Sequence, residues 1–207
     1  MTSSLPAKRP LLYLITEGHL TDDHYEDLKS STLEKVRDSV DLGVDLVQVR
    51  EKSLSARNLL DLSKQLRKIC LPKVRLLIND RFDIALAAEA DGVHLTETSL
   101  PVEVVRAAVD DRLLIGCSRH TVEGVKEARA GGADFAVLGP VFPTPGKGEP
   151  LGLERFKEAC KAAKGFPVIG LGGMNAENAS AVVKAGAAGI AAIRFLNDRH
   201  ALANFKW

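Results

Sequence analysis

Eight short apolar runs punctuate the chain, at residues 11–16, 46–51, 75–80, 92–96, 113–118, 135–140, 167–172 and 189–194. Their apolar residues are consecutive rather than alternating, the pattern of strands buried on both faces in a parallel sheet. Between them lie segments of helical period. The clearest is 55–69, where Leu59, Leu62, Leu66 and Ile69 recur at three- and four-residue steps with charges opposite. Weaker versions cover 31–41, 101–109, 121–130, 153–163 and 175–185, and the shortest candidate is 82–88. Gly131-Gly132 and Gly186 stand where C-terminal caps belong. Strict strand–helix alternation implies right-handed parallel crossovers. Eight such units predict an α/β fold, a compact eight-stranded β/α (TIM) barrel. The rival, a doubly wound open sheet, favours a glycine-rich turn after its first strand. Here that strand ends Ile15-Thr16-Glu17-Gly18-His19, and the glycine pair comes late, at Gly172-Gly173.

Composition narrows the function classes. The 207 residues are 45% hydrophobic and 27% charged, with a formal net charge of +1. That argues for a soluble globular protein and against one that wraps a polyanion. The expectation is one domain over 1–207, with residues 1–10 as a loose N-terminal arm. No run approaches the about 20 apolar residues that span a bilayer, and the first ten residues lack the apolar region of a secretory signal. Cys70, Cys117 and Cys160 are odd in number and widely spaced, which speaks for a reducing cytoplasm and against disulfides or a zinc site.

In a barrel, chemistry gathers where strands end. Strand two ends Gln48-Val49-Arg50-Glu51-Lys52, and alternation turns Gln48, Arg50 and Lys52 to the interior. Buried cations need a partner, either an anionic ligand or acids on neighbouring strands. Asn79-Asp80-Arg81 ends strand three. Asp80 suits a hard cation such as Mg²⁺, or else pairs with Arg81 or caps the next helix. Cys117-Ser118-Arg119-His120 ends strand five. Ser118 is a candidate hydrogen-bond donor to a phosphate and His120 a candidate proton carrier, while Cys117 reads as core. The segment Gly139-Pro140-Val141-Phe142-Pro143-Thr144-Pro145-Gly146-Lys147-Gly148 reads as a flap over phosphate or as a plain turn. It lacks the P-loop spacing. Leu171-Gly172-Gly173-Met174-Asn175 offers backbone N–H groups at a helix start as an anion cradle. Together these features describe an enzyme handling a diphosphate and a monophosphate with a divalent metal.

In order along residues 11–196, the motifs resemble the thiamine phosphate synthase and thiazole tautomerase superfamily. They are Leu12-Tyr13-Leu14-Ile15-Thr16, Gln48-Val49-Arg50-Glu51-Lys52, Ile78-Asn79-Asp80-Arg81, Ala90-Asp91-Gly92-Val93-His94-Leu95, Gly116-Cys117-Ser118-Arg119-His120, the 139–147 loop and Gly172-Gly173-Met174. The resemblance implies a transferase joining hydroxymethylpyrimidine diphosphate to a thiazole phosphate in thiamine biosynthesis. It implies that Gln48, Arg50, Lys52, Asn79, Ser118 and Lys147 hold the pyrimidine diphosphate. Asp80 would bind Mg²⁺. Thr144, Pro145 and Gly146 would meet the thiazole phosphate, with Gly173 and the Ile193-Arg194 backbone at its phosphate. Arg50, Lys52, Ser118, Lys147 and His120 would be the catalytic set. Alternatives of the same fold are a thiazole tautomerase with His120 as proton carrier, and a non-catalytic ligand-binding relative. The expected partners are phosphorylated small molecules, not nucleic acid or membrane; a homo-oligomer is compatible. Three positions depart from the family pattern. Ser99 stands where a second metal-binding Asp is usual, with Glu97 nearby. Ile193-Arg194 replaces a Val-Ser pair, and Glu17 replaces an Asp.

Overall fold

The computed structural model describes Leu5 and residues 10–207. The eight runs form eight strands: β1 Leu11–Ile15, β2 Leu46–Val49, β3 Arg75–Asn79, β4 Gly92–Leu95, β5 Leu114–Arg119, β6 Phe135–Leu138, β7 Val168–Leu171 and β8 Gly189–Ala192. Each pairs in parallel with its sequence neighbours, and β1 also pairs with β8. The sheet therefore closes into the expected barrel, in the order β1 to β8. The expected loose arm falls mostly on residues 1–4 and 6–9, outside the described residues.

The helices wrap the barrel: α1 Tyr25–Asp41, α2 Ala56–Cys70, α3 Phe82–Ala87, α4 Val102–Val109, α5 Val122–Ala130, α6 Gly152–Ala162 and α7 Ala179–Lys184, then the short α8 Arg194–Asn197 and α9 Arg199–Ala203. Two boundaries differ instructively from the periodicity. Helix α1 begins well before residue 31, because Tyr25 is buried and its hydroxyl donates to Asp61 of α2 at 2.6 Å. Helix α7 begins later than residue 175, because Asn175 and Asn178 spend their side chains on backbone N–H groups, building a turn instead of a helix. No helix among the described residues is long and apolar enough to cross a membrane.

Strand alternation splits the core into two layers. One set of side chains, including Leu12, Leu14, Val47, Ile78, Val93, Ile115 and Cys117, packs outward against the helices. The other set, including Leu11, Tyr13, Ile15, Leu46, Leu77, Phe135, Val137, Ile169 and Ala191, fills the barrel. Gly116 is what lets large rings share that interior. A Cβ there would lie 2.3 Å from the Phe135 ring and 2.8 Å from His94 Nδ1. Along the same parity, the interior turns polar toward the carboxyl ends, with Gln48, Asn79 and His94 buried there.

Candidate active site

The loops at the carboxyl ends of the strands enclose a cavity of about 330 Å³. Gln48, Arg50, Lys52, Asn79, Ser118, His120, Thr144, Lys147, Gly173, Ile193 and Arg194 line it together. Pro145, Gly146 and Asp80 are not among the lining residues. Arg119, Thr96, Met174 and Phe195, which the sequence did not single out as site residues, also face the cavity, as does Glu97.

The lining is electrically lopsided. Arg50, Lys52, Arg119, Lys147 and Arg194 face a single carboxylate, Glu97, in a chain whose net charge is only +1. None of these five cations forms an ion pair among the described residues. The acids that strand two could have used are engaged elsewhere. Glu51 is buried and accepts from the N–H groups of Gly18 and Leu20 at 3.0 and 2.9 Å, which ties down the loop after β1. Glu17 pairs with Lys35 of α1 at 2.5 Å and approaches His19 at 3.5 Å. The cavity is thus built to take anionic charge from a ligand. At its floor, Gln48 Nε2 donates to Asn79 Oδ1 at 3.0 Å, locking two polar tips from adjacent strands.

Asp80 directly follows β3, with an exposed side chain and a backbone φ of 65°. Asp80 forms no close ion pair with Arg81, although its charge still acts on that guanidinium, and it does not cap α3. Arg81 makes its bonds to Asp83, at 2.8 and 2.5 Å, and α3 has no side-chain N-cap. The Asp80 carboxylate accepts no hydrogen bond among the described residues. Ser99 does not cap α4, whose N-cap is Pro101. Its Oγ accepts from Thr96 N at 2.8 Å and lies 3.0 Å from Thr96 Oγ1, closing the turn after β4. Among the described residues, no group of three or more His, Cys, Asp or Glu could hold a metal ion by itself. The donor chemistry fits Mg²⁺ held by one carboxylate, water and the oxygens of a bound phosphate ester, since this ion commonly keeps few protein ligands.

The flap after β6 is fastened at its base. Val141 N donates to Leu171 O at 2.8 Å, and Phe142 N donates to Gly172 O at 3.2 Å. Gly173, at φ +64°, lets it lie close: a Cβ there would sit 2.7 Å from Phe142 Cβ and 2.8 Å from Pro143 O. This corrects one sequence reading. Gly172-Gly173 is not a helix start, because α7 begins at Ala179; the pair is a bend that accommodates the flap. His120 Nδ1 hydrogen-bonds Gly139 O, and its Nε2 lies 4.0 Å from Glu97 Oε2.

Beneath Ser118 lies His94, which the sequence reading carried only within a motif. It is 1% exposed. Its Nε2 is 2.8 Å from Ser118 Oγ, and its Nδ1 is 3.1 Å from the Tyr13 hydroxyl. Burial, with a smaller contribution from Arg119, pulls its pKa down to about 3, so the ring is neutral. Burial likewise raises Tyr13 well above the usual phenol range and Cys117 to about 11, which leaves that thiol inert packing.

Comparison with known proteins agrees with this geometry. The sequence model of a family described as thiamine monophosphate synthase matches residues 12–196. A putative thiamine-phosphate synthase of Geobacter sulfurreducens is 45% identical over 186 residues, 88% of this chain and 84% of the relative. A thiamine-phosphate synthase of Moorella thermoacetica is 39% identical, covering 78% of this chain and 79% of its own length. Among solved structures, a thiamine phosphate pyrophosphorylase from Pyrococcus furiosus superposes with a TM-score of 0.81 at 33% identity, over 94% of this chain and 92% of that one.

Proposed function

The chain belongs to the thiamine monophosphate synthase family, and on that footing we propose that it is a cytoplasmic transferase joining hydroxymethylpyrimidine diphosphate to a thiazole phosphate, with release of diphosphate. The observation that carries the reading is the convergence of five unpaired cations on one cavity with the Gln48–Asn79 pair at its floor.

In this reading the C–O bond between the pyrimidine methylene and the diphosphate breaks, and the thiazole nitrogen supplies the electron pair for the new C–N bond. No proton has to move to form that bond, so charge stabilisation and positioning carry the rate. Arg50, Lys52 and Lys147 neutralise charge as it collects on the leaving group, and Ser118 donates a hydrogen bond to it. Gln48 and Asn79, already fixed by each other, orient the pyrimidine diphosphate. Thr144 meets the thiazole phosphate, carried on the flap that Pro145 and Gly146 shape from outside the cavity lining, and Gly173 with the Ile193-Arg194 backbone receives its phosphate. Flap and bend together exclude water, which would otherwise capture the pyrimidine cation. Asp80 is the residue that would hold Mg²⁺, which when bound supplies further charge compensation to the diphosphate. His120 stands at the cavity rim and takes no obligatory proton in this reaction. The single-domain organisation belongs to the same proposal: one barrel carries every residue named.

The test is to incubate the purified protein with both phosphorylated precursors, with and without Mg²⁺, and to quantify thiamine phosphate and free diphosphate. Equal amounts of the two products, dependent on Mg²⁺, are expected. Isomerisation of a thiazole without coupling, or no turnover, would refute the proposal.

A further inference from the structure

The barrel interior holds a hydrogen-bonded series whose first two members the proposed reaction does not use directly: Tyr13 hydroxyl, His94 ring, Ser118 hydroxyl. Only the last of the three reaches the cavity. We propose that Tyr13 and His94 are positioning residues that orient Ser118, so that its hydroxyl hydrogen points into the cavity as a donor to a phosphate oxygen.

The direction follows from satisfying every buried group. A neutral imidazole carries one donor and one acceptor nitrogen. The Tyr13 hydroxyl is fully buried, and among the described residues its single hydrogen-bond partner is His94 Nδ1. If Nδ1 carried the proton, the Tyr13 O–H would be left without an acceptor, at the cost of an unmade buried hydrogen bond. The Tyr13 O–H therefore donates to Nδ1. That puts the imidazole proton on Nε2, which donates to Ser118 Oγ at 2.8 Å. With a lone pair of Ser118 so occupied, its own hydrogen is free for the cavity. The Phe135 ring packs against the imidazole at 6.1 Å between centroids, in space that the missing side chain at Gly116 leaves open.

Two rival roles fail on the same geometry. Passing a proton outward along the series would leave a tyrosinate in the barrel, where burial opposes ionisation. Using His94 as a base toward Ser118 would need a buried imidazolium, which burial also opposes. Orientation remains, and chained hydrogen bonds polarise one another, strengthening the terminal donor.

This inference rests on the reading that Ser118 meets the diphosphate, and the test separates the two. The probe is inorganic diphosphate with magnesium, titrated calorimetrically into the full-length wild type, Ser118→Ala, Tyr13→Phe and the double variant. Alongside it, the histidine tautomer is read by NMR on ¹⁵N-histidine wild-type protein. The expected spectrum has His94 neutral with its proton on Nε2 between pH 6 and 8. Ser118→Ala should weaken diphosphate binding about tenfold, the scale of a lost charge-assisted hydrogen bond. Tyr13→Phe should weaken it about threefold alone and add nothing in the Ser118→Ala background. Full-strength binding by Ser118→Ala would overturn the placement of diphosphate at Ser118. A tenfold loss there with an independent, additive effect of Tyr13→Phe would overturn the positioning role alone. A proton on Nδ1 in the wild type would overturn it without any variant.

Discussion

Acidification from pH 7.5 to pH 5 should cost this protein stability at His94. An unperturbed imidazole titrates near pH 6.5, whereas burial holds the native His94 at about 3. Between those values the unfolded chain binds a proton that the folded chain refuses. The unfolded state therefore carries more protons, and stability falls as pH drops through that window. Integrating from pH 7.5 to pH 5 gives a loss of about 2 kcal/mol from this site. The assay is urea unfolding of the wild type and of His94→Gln at both pH values, with matched ionic strength. Gln keeps an amide donor toward Ser118 but has no proton to gain. The variant is expected to be less stable throughout, since the interior is packed around the ring. Its stability change between the two pH values should nevertheless be smaller than the wild type's by about 2 kcal/mol. Every other titrating group is common to both proteins, so the difference isolates position 94. Coincident pH dependences would show that the imidazole is not held neutral and would undo the argument for its buried environment.

Lys147→Ala should lower turnover with both substrates by about two orders of magnitude, as expected for removing a cation from a developing anion. His120→Ala should cost under about fivefold, since the proposed coupling asks no proton of it; steady-state kinetics of both variants compares them directly. Asp80→Asn should cost about two orders of magnitude in turnover and raise the half-saturating magnesium concentration; unchanged magnesium dependence would remove Asp80 from the metal site. Ser99→Asp adds a carboxylate beside Glu97 and should lower that concentration, whereas Glu97→Gln should raise it if Glu97 reaches the ion; a magnesium titration that moves in neither variant excludes the loop after β4. Gly173→Val would press a side chain into the flap, where a Cβ already falls 2.7 Å from Phe142 Cβ. Its φ of +64° adds about 1 kcal/mol of backbone strain. The Michaelis constant for the thiazole phosphate should rise about tenfold, with a smaller change for the pyrimidine diphosphate.

The barrel was legible because each strand is buried on both faces, so its apolar run stands out from the polar helices around it. The ends were less legible. The buried run continues past the strand's assigned end, as at Thr16, which lies beyond β1 although its N–H still donates to Gln48 O at 3.0 Å and its Oγ1 accepts from Arg50 N at 2.9 Å. The start of α1 was hidden by Glu26, Asp27, Lys29 and Ser30, where only Tyr25 marks the buried side. Helices of four and five residues, α8 and α9, are too short to carry a period.

The site divides along the same line. Gln48, Arg50 and Lys52 could be grouped from one strand end because parity alone puts them on one side, and all three line the cavity. His94 could not, since a single histidine in Gly92-Val93-His94-Leu95 looks like any interior strand residue. Its partners lie 81 and 24 residues away, on β1 and β5, and only closure of the barrel brings them together. The two kinds of residue answer different demands. The cations of the rim are exposed or half-buried, so water can solvate them until a ligand arrives. The polar groups below them have no such option and must satisfy one another. Gln48 meets Asn79, and Tyr13 meets His94, which meets Ser118. That internal pairing is what lets polar side chains sit inside an otherwise apolar barrel. It also fixes in advance the donors that the rim cations then complement, so that part of the ordering of the site is already complete when the protein folds.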